Sequence, residues 1–129
     1  MKFLHTSITV RKMDESLRFY TEVMGLQFER RCTLPENHAE IAFVRDPESG
    51  AQVELTHWEG RETIEPGEQL DHLAFEVPDM DAFLAAARSW GARVAKEPFR
   101  LAGGTSRLAF LLDPDDVWIE LIERTPRVG

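Results

Sequence analysis

The sequence predicts an α+β fold of two βαβββ modules, each a mixed sheet with a helix on its outer face. Three observations carry this. Short segments recur in the same order at a nearly constant spacing. Within each copy the apolar residues alternate at strand period, switch to helix period once, and then alternate again. Turn-forming clusters punctuate both copies at matching places. His5-Thr6-Ser7-Ile8-Thr9-Val10 is echoed by His72-Leu73-Ala74-Phe75-Glu76-Val77, Met13-Asp14 by Met80-Asp81, Ile41-Ala42-Phe43 by Leu108-Ala109-Phe110, and Asp46-Pro47 by Asp113-Pro114, all 67 residues apart. Glu54-Leu55 is echoed by Glu120-Leu121 at a spacing of 66, which needs a one-residue difference in a turn. Ordered repetition of this kind marks a duplicated module of about 60 residues.

The first copy opens with a strand at about 3–10. Alternation puts Leu4, Thr6, Ile8 and Val10 on one face, suited to packing on a helix, and His5, Ser7 and Thr9 on the other. A helix follows at about 14–24, with Asp14 as its N-cap, Leu17, Tyr20 and Met24 on one side, and Gly25 as its stop. Strands at 26–34, 40–45 and 52–58 come next, separated by Pro35-Glu36-Asn37 and by Asp46-Pro47-Glu48-Ser49-Gly50. The second copy repeats the plan. A strand at 70–77 leads into a helix at about 80–90 that begins near Asp79 or Asp81 and ends at Gly91, and strands follow at 92–97, 105–112 and 117–123. The chain 1–129 is thus expected to be one domain of two repeats, about 3–58 and 70–123, joined by an exposed, charged linker at 59–69.

Composition narrows the function. Of 129 residues, 43% are hydrophobic and 29% charged, the balance of an ordinary globular protein. The net charge of −8 argues against nucleic acid as the main partner. No apolar run reaches the roughly 20 residues that a membrane helix needs. The first residues lack the pattern of a secretory signal, and one cysteine, Cys32, excludes an intrachain disulfide and a cysteine-rich metal site. These points suit a cytoplasmic protein.

Each four-stranded sheet would have one face on its helix and one left open, and two such faces can enclose a cleft. His5 and His72 fall on the open faces, as do Glu54, with Gln52 and Thr56, and Glu120. Each module supplies one histidine at its first strand and one glutamate at its last. Two imidazoles and two carboxylates form a ligand set for a borderline divalent ion such as Zn, Ni, Co or Fe(II), with positions left for water or substrate.

The chain resembles the vicinal-oxygen-chelate superfamily, and within it the short bacterial type of glyoxalase I. The resemblance runs from Phe3 to Glu123. It is carried by Leu4-His5-Thr6, Ser16-Leu17-Arg18-Phe19-Tyr20, Met24-Gly25-Leu26, Ile41-Ala42-Phe43-Val44, Val53-Glu54-Leu55-Thr56, His72-Leu73-Ala74, Gly103-Gly104-Thr105, Ala109-Phe110, Asp113-Pro114-Asp115 and Ile119-Glu120-Leu121-Ile122-Glu123. It implies the isomerisation of a methylglyoxal–thiol hemithioacetal to the S-lactoyl thioester through an enediolate, with glutathione or another thiol. The implied metal site is His5, Glu54, His72 and Glu120, holding Ni(II) or Co(II) in preference to Zn(II). By position Glu120 matches the family's base, with Glu54 as its symmetry mate. The resemblance also implies a homodimer, in which His5 and Glu54 of one chain meet His72 and Glu120 of the other.

The usual thiol-binding positions differ. Thr9 stands where an arginine is common, Thr56-His57-Trp58 covers the place of an asparagine, and Ala102 that of a lysine. Arg100 and Arg107 are the candidate replacements for anion binding, with Thr9 and His57 as further pocket candidates. Other readings are an epimerase, a ring-cleaving dioxygenase, a thiol transferase, or a metal-free drug-binding protein. The intact ligand set weighs against the last, and a carboxylate at Glu54 weighs against the others.

Overall fold

The computed structural model describes residues 1–124. Two compact units are present, Met1–Pro66 and Gly67–Gly129. Each is a four-stranded mixed sheet with a helix on one face. In the first, β1 (Thr6–Thr9), α1 (Met13–Arg18), β2 (Gln27–Leu34), β3 (Ala39–Arg45) and β4 (Gln52–Trp58) give the strand order β1-β4-β3-β2. In the second, β5 (Leu73–Glu76), α2 (Met80–Trp90), β6 (Arg93–Arg100), β7 (Arg107–Leu112) and β8 (Trp118–Glu123) give β5-β8-β7-β6. The first strand of each unit runs parallel to the last, and the other pairs are antiparallel. Among the described residues, no helix is long and apolar enough to cross a membrane.

Burial follows the alternation. On the helix side of the first sheet lie Ile8, Val10, Ala42, Val44 and Leu55, packed with Met13, Phe19 and Tyr20. On that side of the second lie Val77, Ala109, Leu111, Ile119 and Leu121, packed with Met80, Leu84 and Ala87. Each large aliphatic or aromatic side chain buried this way contributes about 1.5–3 kcal/mol. The small residues Ala42 and Ala109, both fully buried, sit at matching places in the two central strands.

The turns between the last two strands of each unit fix the register. Asp46 accepts hydrogen bonds from the Glu48 amide at 3.1 Å and the Ser49 hydroxyl at 2.6 Å, while Asp113 accepts from the amides of Asp115 at 2.8 Å and Val117 at 2.9 Å. These are Asx turns, in which a short carboxylate supplies the partner that a loop amide lacks. The first is closed by Asp46 N–H to the Ala51 carbonyl and the second by Asp113 N–H to the Val117 carbonyl, so the second turn is one residue shorter. That residue accounts for the change of spacing from 67 to 66.

Some expectations are corrected. The strands expected at 3–10 and 70–77 are shorter, and His5 and His72 lie just before β1 and β5. Leu4 is 63% exposed, outside the core. The helix expected at 14–24 is α-helical only to Arg18 and continues as a π-helical turn, Phe19–Val23. There Thr21 Oγ1 donates to the Leu17 carbonyl at 2.7 Å, competing with the backbone for that acceptor, and the Met24 amide reaches back to Phe19. The widened turn lets the consecutive Phe19 and Tyr20 both be buried, at 1% and 0% exposed. Asp14 is not the N-cap. Lys12 holds that position without a side-chain bond, and Asp14 lies in the first turn, bonded to Arg31. In α2 the expectation holds, with Asp79 accepting from the Ala82 amide at 3.1 Å and Gly91 closing the helix at φ 106°. The strand expected at 92–97 runs on to Arg100.

Candidate functional site

The parallel pairing of β1 with β4 sets Ser7 beside Glu54, and the antiparallel pairing of β3 with β4 sets Phe43 on Glu54's other side. In the second unit Ala74 stands beside Glu120, and Phe110 on its other side. Paired residues of adjacent strands share a face. Each glutamate is therefore on the face away from its helix, because its strand neighbours Leu55, Ile119 and Leu121 fill the helix side.

Each histidine reaches the glutamate of its own unit. His5 Nε2 lies 3.0 Å from Glu54 Oε2, and His72 Nε2 lies 3.6 Å from Glu120 Oε2. Both imidazoles meet the central-strand phenylalanine edge-on, His5 with Phe43 at 5.1 Å and His72 with Phe110 at 6.0 Å between centroids. The two glutamate side chains are 18% exposed, reachable by a ligand yet partly shielded from water. His72 Nδ1 faces Asp71 Oδ1 at 2.7 Å. A carboxylate accepts only, so Nδ1 carries the proton and Nε2 points at Glu120. Around Glu54, Thr56 Oγ1 donates to Oε1 at 3.0 Å, and Ser7 Oγ is 2.9 Å from Thr56 Oγ1. Among the described residues no group of three or more histidine, cysteine, aspartate or glutamate side chains is placed to hold a metal ion.

The other candidates separate by face. Thr9 pairs with Thr56 and lies on the open face. His57 alternates to the helix side of β4. Its Nδ1 donates to the Val10 carbonyl at 3.1 Å, and it lines a recess of about 540 Å³ with Arg11, Lys12, Gly60, Arg61 and Glu62. Arg107 also lies on the helix side. It pairs with Glu123, whose carboxylate accepts the Met80 amide at 2.6 Å, and it holds Asp81 of α2 at 3.1 Å. Arg107 holds the Asp81 carboxyl below its ordinary value, through its hydrogen bond first and its charge second. Arg100 pairs with Arg107 and shares its face, donating to the Thr105 carbonyl across the Gly103-Gly104 loop.

Two cations that the sequence reading passed over lie on the open faces. Arg30 pairs with Phe43, its guanidinium 4.3 Å from the ring centroid. Lys96 pairs with Phe110, and its Nζ lies 4.1 Å from the Phe99 ring, which is stacked on Phe110. Arg30 and Lys96 are 66 residues apart while the flanking repeats Met13/Met80 and Ile41/Leu108 are 67 apart, so the spacing read from the repeat does not pair them. β-bulges at Phe28/Arg30 and Val94/Lys96 shift the alternation and conceal their facing from a simple count.

The profile of the Glyoxalase/Bleomycin resistance protein/Dioxygenase superfamily matches residues 2–121. A probable lactoylglutathione lyase of Vibrio parahaemolyticus is 39% identical over 124 residues, 95% of this chain and 90% of its own length. The lactoylglutathione lyase of Haemophilus influenzae is 38% identical over 95% of this chain and 93% of its own. Among solved structures, glyoxalase I from Zea mays superposes with a TM-score of 0.87 at 30% identity, covering 97% of this chain and 45% of the maize chain. This chain thus spans about half the maize length. The trypanothione-dependent glyoxalase I of Leishmania major gives a TM-score of 0.82 at 32% identity, over 95% of this chain and 86% of its own.

Proposed function

The chain belongs to the Glyoxalase/Bleomycin resistance protein/Dioxygenase superfamily, and we propose that it is a metal-dependent glyoxalase I acting on a methylglyoxal–thiol hemithioacetal. Its near-full-length relatives named lactoylglutathione lyase make it a lyase. The observation that carries the proposal is the duplicated histidine–glutamate pair, His5 with Glu54 and His72 with Glu120, at the same register of two sheets.

The donor set fits a divalent ion. Each pair brings an imidazole nitrogen to 3.0 or 3.6 Å from a carboxylate oxygen, and two carboxylates offset a dication's charge. Asp71 on His72 Nδ1 is the kind of outer partner that fixes a ligating imidazole. The assigned ligands are His5, Glu54, His72 and Glu120, with Ni(II) or Co(II) preferred over Zn(II). When bound, such an ion polarises the adjacent substrate oxygens and acidifies the hydrogen on the intervening carbon. Glu120 removes that hydrogen from the carbon bearing sulfur and returns it to the former carbonyl carbon, while the hydroxyl proton of the sulfur-bearing carbon passes to the former carbonyl oxygen. The result is the S-lactoyl thioester, with no oxidant consumed. Arg30 and Lys96 on the open faces receive the anionic groups of the thiol, and Thr9 lines the open face of the first sheet.

Two ligands from one unit leave an ion half-coordinated, so the site needs both pairs. In the proposed homodimer each site takes His5 and Glu54 from one chain and His72 and Glu120 from its partner. The reading is tested by supplying methylglyoxal with glutathione and with other thiols. S-lactoyl thioester formation that disappears on chelation and returns with metal is expected; no thioester from any thiol adduct overturns it.

A further inference from the structure

Glu54 and Glu120 share a register but differ in what holds them. Thr56 Oγ1 donates its one proton to Glu54 Oε1, at 3.0 Å, so the 2.9 Å contact with Ser7 must be a bond that Ser7 donates. Thr56 is itself buried, at 5% exposed, and its backbone is fixed by pairing with Thr9 and Ile41. The chain Ser7 to Thr56 to Glu54 thus commits one carboxylate oxygen to a hydroxyl and turns the other toward His5. In the second unit the corresponding residues cannot do this. Ile122 lies two beyond Glu120, where Thr56 lies two beyond Glu54, and Ala74 pairs with Glu120, where Ser7 pairs with Glu54. Neither side chain has a hydroxyl. Glu120 meets its histidine at the longer distance of 3.6 Å.

A carboxylate held by a hydroxyl is fixed in one rotamer, whereas one without that bond can swing toward a substrate carbon. We propose that Thr56, oriented by Ser7, is a positioning residue that keeps Glu54 as a ligand and leaves proton transfer to Glu120. The missing hydroxyl in the second unit breaks the symmetry of the two carboxylates. The proposal rests on the metal-dependent reading above.

The test compares Thr56→Val, which keeps the β-branched shape, with Thr56→Ser, which keeps the hydroxyl, each alone and with Glu120→Gln. Metal affinity is read by chelator competition and kcat by thioester formation. Loss of an outer hydrogen bond to a ligand typically weakens metal binding by about 10- to 100-fold, and this is expected for Thr56→Val but not Thr56→Ser. In the Glu120→Gln background at saturating metal, Thr56→Val is expected to raise kcat above that of Glu120→Gln alone, because the released Glu54 can then take the proton. Thr56→Ser is expected to leave it unchanged. A merely structural role for Thr56 would lower activity in both backgrounds. Wild-type-like metal affinity in Thr56→Val, or no gain in the double variant, overturns the proposal while the metal-dependent reading stands. A wild-type protein that is fully active without metal overturns both.

Discussion

Glu54 and Glu120 stand at the same position of two separate sheets. Each pairs on one side with a central-strand phenylalanine, Phe43 or Phe110, and on the other with the residue two beyond a histidine, Ser7 or Ala74. The Asx turns at Asp46 and Asp113 set this register, and a slip of one residue would send each carboxylate into the apolar layer under the helix. The duplicated pairs therefore follow from duplicated turns.

Replacing each carboxylate with its amide should separate their roles. Positioned general bases contribute about 10²–10⁴-fold, so Glu120→Gln is expected to lower kcat by that range with metal retained. Glu54→Gln is expected to act mainly through metal affinity. Metal content and steady-state kinetics on the same samples check this, and a Glu120→Gln enzyme with full metal and near-native kcat would refute it.

Sites shared between chains can be complemented. His5→Ala and His72→Ala proteins are each expected to bind metal poorly. In a mixed dimer of the two, one site regains all four ligands while the other loses both histidines. Mixing is expected to restore up to half of the wild-type metal and activity; no recovery in verified heterodimers would place each site within one chain.

Substrate binding should depend on Arg30 and Lys96. A hydrogen bond to a charged group is worth about 1.5–3 kcal/mol, so Arg30→Ala and Lys96→Ala are each expected to raise KM by about tenfold or more, with little change in kcat. Unchanged KM in both would remove them from the thiol site.

Arg107 should be dispensable for the substrate and matter for stability at neutral pH. Asp81 is held below its ordinary 3.8 by its bond to Arg107. A carboxyl lowered in the folded state adds stability above its unfolded value, and that stability is lost as pH falls through the folded value. Arg107→Gln is therefore expected to melt slightly below wild type at pH 7, with the difference vanishing at acid pH. KM should be unchanged. A raised KM would return Arg107 to the substrate site.

The duplication was legible because both copies keep the same residue types at the same spacing. Once His5 aligned with His72 and Glu54 with Glu120, strand alternation alone put them on the face away from the helix. Alternation also had the means to place His57 on the helix side, three residues from Glu54, and Arg107 level with Ala109 and Leu111. Other features depend on local bonds that no periodicity reveals. The π-helical turn follows from the Thr21 hydroxyl on Leu17, and the facing of Arg30 and Lys96 follows from β-bulges. The unequal support of the two glutamates needed the distances themselves, since Thr56 reads in sequence as one more polar strand residue.

Stepwise titration of metal-stripped protein with Ni(II), following bound metal and thioester formation in the same samples, tests the central claim most directly. Activity is expected to start near zero, rise in proportion to metal bound, and level off at one ion per chain, with His5→Ala and His72→Ala protein failing to follow. Full activity in the stripped protein, or stoichiometric binding that both histidine variants retain, would contradict it.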